Sequence, residues 1–282
     1  MSTTFDRISF LVSALAAFLY VYLLPGDVVL RSVIVFGQAH FLISYIYRNK
    51  SGKIDKTYLL KFLLLCVFLG FTCAYIYFHL AWFPVIIFVT LMTFVLHYFF
   101  DELKISNLDI DNKLFGALAA FFAFASIFLR MIFHVGPTVL YLCCVLSAFF
   151  SVLFTYFLFS KTENRFGQLK VFLFFLLNVS VPIYLTFNGG VDILKISGFI
   201  ILFHYIRWYL RYFERFRGTA ELDLYFDFII WSHIFVILAF FEYVLSPNVG
   251  ILYGFYSPLY FYAWTLIHII LSIRKEDYKL AL

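Results

Sequence analysis

Apolar runs of roughly 17 to 24 residues, nearly free of charge, recur along this chain and leave few folds open to it. That is the length of helix that crosses a hydrocarbon core of ~30 Å, and about twice the length of a membrane strand. In lipid every backbone amide must be satisfied internally, so only helices and closed barrels span, and the run length selects helices. With 64% hydrophobic and 13% charged residues and a mean hydropathy of +0.96, the chain lies outside the range of soluble domains, in which only about 45 to 50% of residues are apolar. The expected fold is all-α, a polytopic transmembrane helix bundle.

Ten spans can be drawn, at 8–24, 28–47, 58–78, 80–100, 113–133, 137–160, 169–187, 191–213, 225–246 and 250–273. Tight turns are expected at Pro25-Gly26-Asp27, His79, His134 to Gly136, Asn188-Gly189-Gly190 and Pro247-Asn248-Val249, where Pro and Gly punctuate the pattern. Longer polar loops alternate with them, at Arg48 to Lys56, Asp101 to Asn112, Lys161 to Gln168 and Glu214 to Leu224. With both termini in the cytoplasm, every Lys and Arg except Arg31, Arg130 and Lys195 falls on the cytoplasmic side, as the positive-inside rule requires. The first run reads as an uncleaved anchor, because Pro25-Gly26-Asp27 makes a poor cleavage site. No soluble domain or low-complexity tract interrupts the pattern, so residues 1–282 read as a single integral membrane domain.

The net charge of +5 reports topology and does not point to nucleic acid, since the basic residues are interleaved with the spans. Cys66, Cys73, Cys143 and Cys144 lie inside apolar runs without C-x-x-C spacing, which suggests neither a disulfide framework nor a zinc ribbon, and they read as packed thiols. P-loop, Rossmann, nucleophile-elbow and His-x-Glu-x-x-His signatures are absent.

The chemistry-bearing residues are histidines. His79 and His134 fall in turns, whereas His40, His97, His204, His233 and His268 all fall in the cytoplasmic half of the bundle, each within a turn or two of a charged residue. Ionisable groups at membrane depth face a bundle interior, and neutral imidazoles from several helices can hold a metal without burying ligand charge. His97 and Asp101 are one helical turn apart, as a ligand and its orienting carboxylate would be. His40, His97, His204 and His268 are therefore candidate ligands for Fe(2+), or for Zn(2+) as the alternative, with Asp101 in a supporting or proton-accepting role. Glu102, Asp227 and Glu242 are the other acids near enough in sequence to matter. Around His204, Arg207 and Arg211 follow at helical spacing. Arg207 could meet Asp101 or the polar head of a substrate, Arg211 reads as a snorkelling anchor, and Trp208 as an interfacial belt residue. Tyr45, Tyr98 and Tyr205 could donate to a ligand. The plain alternative for each histidine is an interhelical hydrogen bond.

The order His40 in a Gly37-Gln38-Ala39-His40 setting, His97 with Asp101 one turn on, and His204 in a late span resembles the bacterial and archaeal integral-membrane β-carotene 15,15′-dioxygenase family, the bacteriorhodopsin-related-protein-like group. The resemblance extends over most of the chain, and the separations between these histidines are similar. It implies a helical membrane enzyme of the cell membrane that uses iron and oxygen to cleave a carotenoid to retinal. The chain departs from that family at its late His-x-x-x-His pair, where Trp208 takes the second position, so that His268 or His233 would have to supply the missing ligand.

Four functions are thus open. A metal-dependent enzyme would take a hydrophobic substrate laterally from the bilayer. A transporter or lipid or proton carrier would use the same histidines with Arg207. A bis-histidine haem protein would oppose two of the imidazoles across a flat pocket. A partner-binding membrane subunit would use them only as polar contacts.

Overall fold

The computed structural model describes residues 3–26, 28–29, 31–34, 36–37, 40, 83–105, 110, 112–160, 165–188 and 192–219, and single positions within 222–237 and 261–269. Outside them lie the span expected at 58–78 and the expected roles of Tyr45, Cys66, Cys73, His79 and Glu242. Every regular element among the described residues is helical: α1 (Thr3–Leu23), α2 (Phe83–Ile105), α3 (Leu114–Phe133), α4 (Pro137–Ser160), α5 (Arg165–Asn188) and α6 (Ile193–Phe216). Further helical residues fall within 26–40, 222–237 and 261–269. Among the described residues four helical segments are long and apolar enough to cross a membrane, namely Pro84–Leu103, Leu114–Phe133, Pro137–Ser160 and Gly167–Asn188. The protein is an integral membrane protein. Its α4 shows why: buried Leu140, Cys143, Ser147, Phe154 and Leu158 form one narrow stripe, while Tyr141, Leu142, Val145, Phe149, Val152 and Tyr156 are apolar and exposed, a face suited to lipid.

The chain forms two compact units, one from Met1–Leu80 with Asp192–Thr265 and one from Ala81–Val191 with Leu266–Leu282. In the first unit α1 packs on α6. Ser9, Ser13 and Ala17 recur at four-residue steps and are buried, whereas Ile8, Leu11, Leu15, Phe18 and Tyr22 are exposed, so small residues face protein and large ones face lipid. The Ser13 hydroxyl donates to the Ser9 carbonyl at 2.6 Å, which satisfies that buried hydroxyl. Asp192 caps α6, its Oδ1 accepting the Leu194 amide at 2.9 Å.

In the second unit α3 lies against α2, α4 and α5. Its middle is built from small residues, with Gly116, Ala117, Ala119, Ala120, Ala123, Ala125 and Ser126 all buried, which lets three neighbours approach one backbone. The Ser147 hydroxyl donates to the Ala119 carbonyl at 2.8 Å, and the Ser126 and Thr186 hydroxyls meet at 2.8 Å. A Cβ on Gly116 would run into the rings of Phe99 and Phe154, which fill the place of a side chain. Gly116→Leu is therefore expected to destabilise the protein by about 1 to 3 kcal/mol through overpacking, read as a lower thermal midpoint in detergent with the variant still helical.

The helix termini follow local rules. His134 closes α3 in the left-handed conformation at φ 52, and Pro137 opens α4, where its missing amide costs nothing. Pro182 stands inside α5 without ending it.

Three expectations from the sequence are corrected. The polar stretch beginning at Asp101 is helical as far as Ile105, because Asp101 and Glu102 each find a partner on a helix face and need no loop. The loop expected at Glu214 to Leu224 is in part helical: α6 runs to Phe216, the Arg217 amide donates to the Phe213 carbonyl, and Leu222 and Asp223 are helical again. Trp208 is not a belt residue, since it is 7% exposed and packs with Phe216 and Tyr225 in the first unit.

Candidate functional site

Each unit brings together a pair of the histidines singled out above. In the second unit α2 carries His97 and Asp101 four residues apart, on one face of the helix. His97 Nε2 lies 3.4 Å from Asp101 Oδ2. That is longer than a good N–H···O hydrogen bond, which falls near 2.7 to 3.2 Å. It matches the ~3.4 Å that separates two ligand atoms when both are bonded at ~2.1 Å to one tetrahedral ion. The ring of His268 meets that of His97 edge-on, with centroids 5.4 Å apart and planes at 87°. His97 is buried, while the Asp101 side chain retains 19% exposure. One residue further on, Glu102 turns to another side of α2 and meets Lys170 of α5 at 3.9 Å, both buried.

In the first unit α6 wraps one imidazole. His40 is fully buried, with Tyr205 stacked on it at 4.7 Å, Trp208 at its edge at 4.6 Å, His204 at 5.4 Å and Tyr209 at 6.0 Å. These α6 residues come in two adjacent pairs four apart, which places them on one side of the helix. Gly37, one turn before His40, permits the contact: a Cβ there would strike the Tyr205 hydroxyl and the Phe261 ring. His233 lies beyond Tyr209 at 5.7 Å, and its Nδ1 is 2.7 Å from the Ile229 carbonyl, which can accept from it and so leave Nε2 as the acceptor. Arg207 does not snorkel. It is 1% exposed, donates to the Ser9 hydroxyl and lies 5.6 Å from the centre of the Phe10 ring.

Of the residues expected from the sequence, His40 and His204 thus share the first unit with Arg207, and His97, Asp101 and His268 share the second. Asp227 is exposed and takes no part in either group. A haem between His40 and His204 does not fit this packing, because Tyr205 covers a face of His40 and Trp208 closes its edge, in the space a flat macrocycle would need. Sequence reasoning missed Tyr209 beside His40, Ser9 as the partner of Arg207 and Lys170 as the partner of Glu102. The available signals for the last two were small residues at four-residue steps on α1, for Ser9, and a lysine just inside the span expected at 169–187, for Lys170.

No family model matches the chain, and no curated protein or solved structure matches it. The functional reading rests on residues and geometry.

Proposed function

We propose that the protein is a metal-dependent integral membrane enzyme, oxygenase-like, acting on a hydrophobic isoprenoid or lipid substrate such as a carotenoid. The observation that carries this reading is the pair in the second unit, His97 Nε2 at 3.4 Å from Asp101 Oδ2, and His268, whose ring lies edge-on to that of His97, is the proposed third donor. Two imidazoles and one carboxylate are the donor set of non-haem Fe(2+) oxygenases, in which the remaining positions stay open. Zn(2+) is the alternative, as it accepts the same donors. A bound iron would supply oxygen activation. The chain's own part is to present the His97 and His268 imidazoles beside the Asp101 carboxylate, which keeps access to solvent, and to admit the substrate from lipid.

His40 and His204 remain the further imidazoles that the sequence assigns to a metal, and Arg207 remains the candidate for the polar head of a substrate. The proposal includes ten spans with both termini in the cytoplasm, supported by the placement of Lys and Arg, and the cell membrane of a bacterium or archaeon, supported by the resemblance to the dioxygenase family. The competing reading, a transporter or a lipid or proton carrier, has the buried cations Arg207 and Lys170 in its favour, and proton-coupled uptake into vesicles would select it.

Element-resolved metal analysis of the detergent-purified protein is the first test. The expected result is about one iron per chain after anaerobic reconstitution, no Soret band, and oxygen uptake on adding carotenoid. Loss of the iron in His268→Ala, together with retention in His134→Ala, would support the assignment. Absence of bound iron and zinc after reconstitution would sink it.

A further inference from the structure

The chain uses Phe freely, with 41 copies against 21 of Tyr, so a buried Tyr in its interior needs a reason. Tyr205 and Tyr209 stand one turn apart on α6, and both rings lie against His40. Their hydroxyls are shut off from solvent and make no hydrogen bond among the described residues. Tyr205 is nearly fully buried, with its oxygen at the notch left by Gly37. Phenylalanine would give the same ring packing, whereas an unsatisfied buried hydroxyl costs about 1 to 3 kcal/mol. Two such hydroxyls on one face are best explained by an acceptor that both can reach.

We propose that Tyr205 and Tyr209 form a binding subsite for the oxygen-bearing end of an apolar, membrane-soluble ligand, donating hydrogen bonds to its hydroxyl, carbonyl or ether oxygen while its hydrocarbon remains among apolar side chains. His40, on which the Tyr205 ring stacks, and Trp208, edge-on to Tyr209 at 5.5 Å, hold the two tyrosine rings in place. The subsite lies wholly in the first unit and needs no metal. It rests on the reading of a bilayer-borne substrate and narrows that substrate to one with an oxygen at its end. The same acceptor chemistry could come from a trapped water, and the test separates the two sources.

Radiolabelled farnesol and farnesene, an isoprenoid alcohol and an isoprenoid hydrocarbon, are titrated against the purified full-length protein in detergent with a chelator present. The chelator keeps failure of the metal reading distinct from failure here. The expected result is a preference for farnesol of roughly tenfold, reduced about three- to tenfold in Tyr205→Phe and in Tyr209→Phe, the size of one neutral hydrogen bond. Tyr212→Phe, three residues beyond Tyr209, is expected to keep the full preference, and thermal midpoints no lower than that of the native protein show that the variants fold. Equal binding of the two probes to the native protein would assign the hydroxyls to water and overturn the proposal. A farnesol preference that survives both Phe variants would overturn it as well.

Discussion

His97→Ala is expected to abolish iron binding, and Asp101→Asn to weaken it more than about 100-fold, beyond the 10- to 100-fold typical of a residue that only orients a ligand. The basis is the 3.4 Å between His97 Nε2 and Asp101 Oδ2, a separation suited to two atoms sharing an ion and long for a hydrogen bond. Asparagine preserves the size of the side chain and removes its charge, so a large loss reports coordination by an anion. The measurement is a competitive titration with a chromophoric chelator, repeated with His40→Ala and His204→Ala. An Asn variant within about 100-fold of the native affinity would make Asp101 the orienting partner of His97. Full affinity in His97→Ala would remove this group from consideration as a metal site.

Lys170→Met is expected to cost about 3 to 5 kcal/mol of stability, because it leaves the Glu102 carboxylate buried without its cation. The two groups lie 3.9 Å apart between α2 and α5, each nearly shut off from solvent. Two charges removed from water recover only part of their desolvation cost through mutual attraction, so the double variant Glu102→Gln with Lys170→Met is expected to regain most of the loss. Denaturant titration in mixed micelles would measure both. If the single and double variants lose equal stability, the pair is not the source of the effect. If Lys170→Met loses nothing, the lysine reaches water in solution. The outcome also bears on the metal group, since Glu102 adjoins Asp101 in the last turns of α2.

The helical class was legible because lipid allows no unsatisfied backbone, so that run length alone separates helices from strands. The spans expected at 113–133 and 137–160 match α3 and α4 to within one residue, since His134, Gly136 and Pro137 are punctuation that acts locally. Local too is the pairing of His97 with Asp101, which any helix would bring to one face. The polar stretch from Asp101 was misread for a reason of range: charge signals a loop unless a distant partner takes it up, and Lys170 is far along the chain. Trp208 was misplaced likewise, because an aromatic near a span's end suits the interface equally well until His40 is found beside it.

What the sequence by itself determined, then, was everything set by neighbours within a turn or two: helix class, most boundaries, and which side chains share a face. Only the tertiary structure decided which faces meet, so that His40 is enclosed by α6, His268 comes to the edge of His97, and Tyr205 and Tyr209 are left with hydroxyls to satisfy. The physical reason is that contacts between helices depend on where small residues let backbones approach, as at Gly37 and Gly116, and that depends on both partners at once.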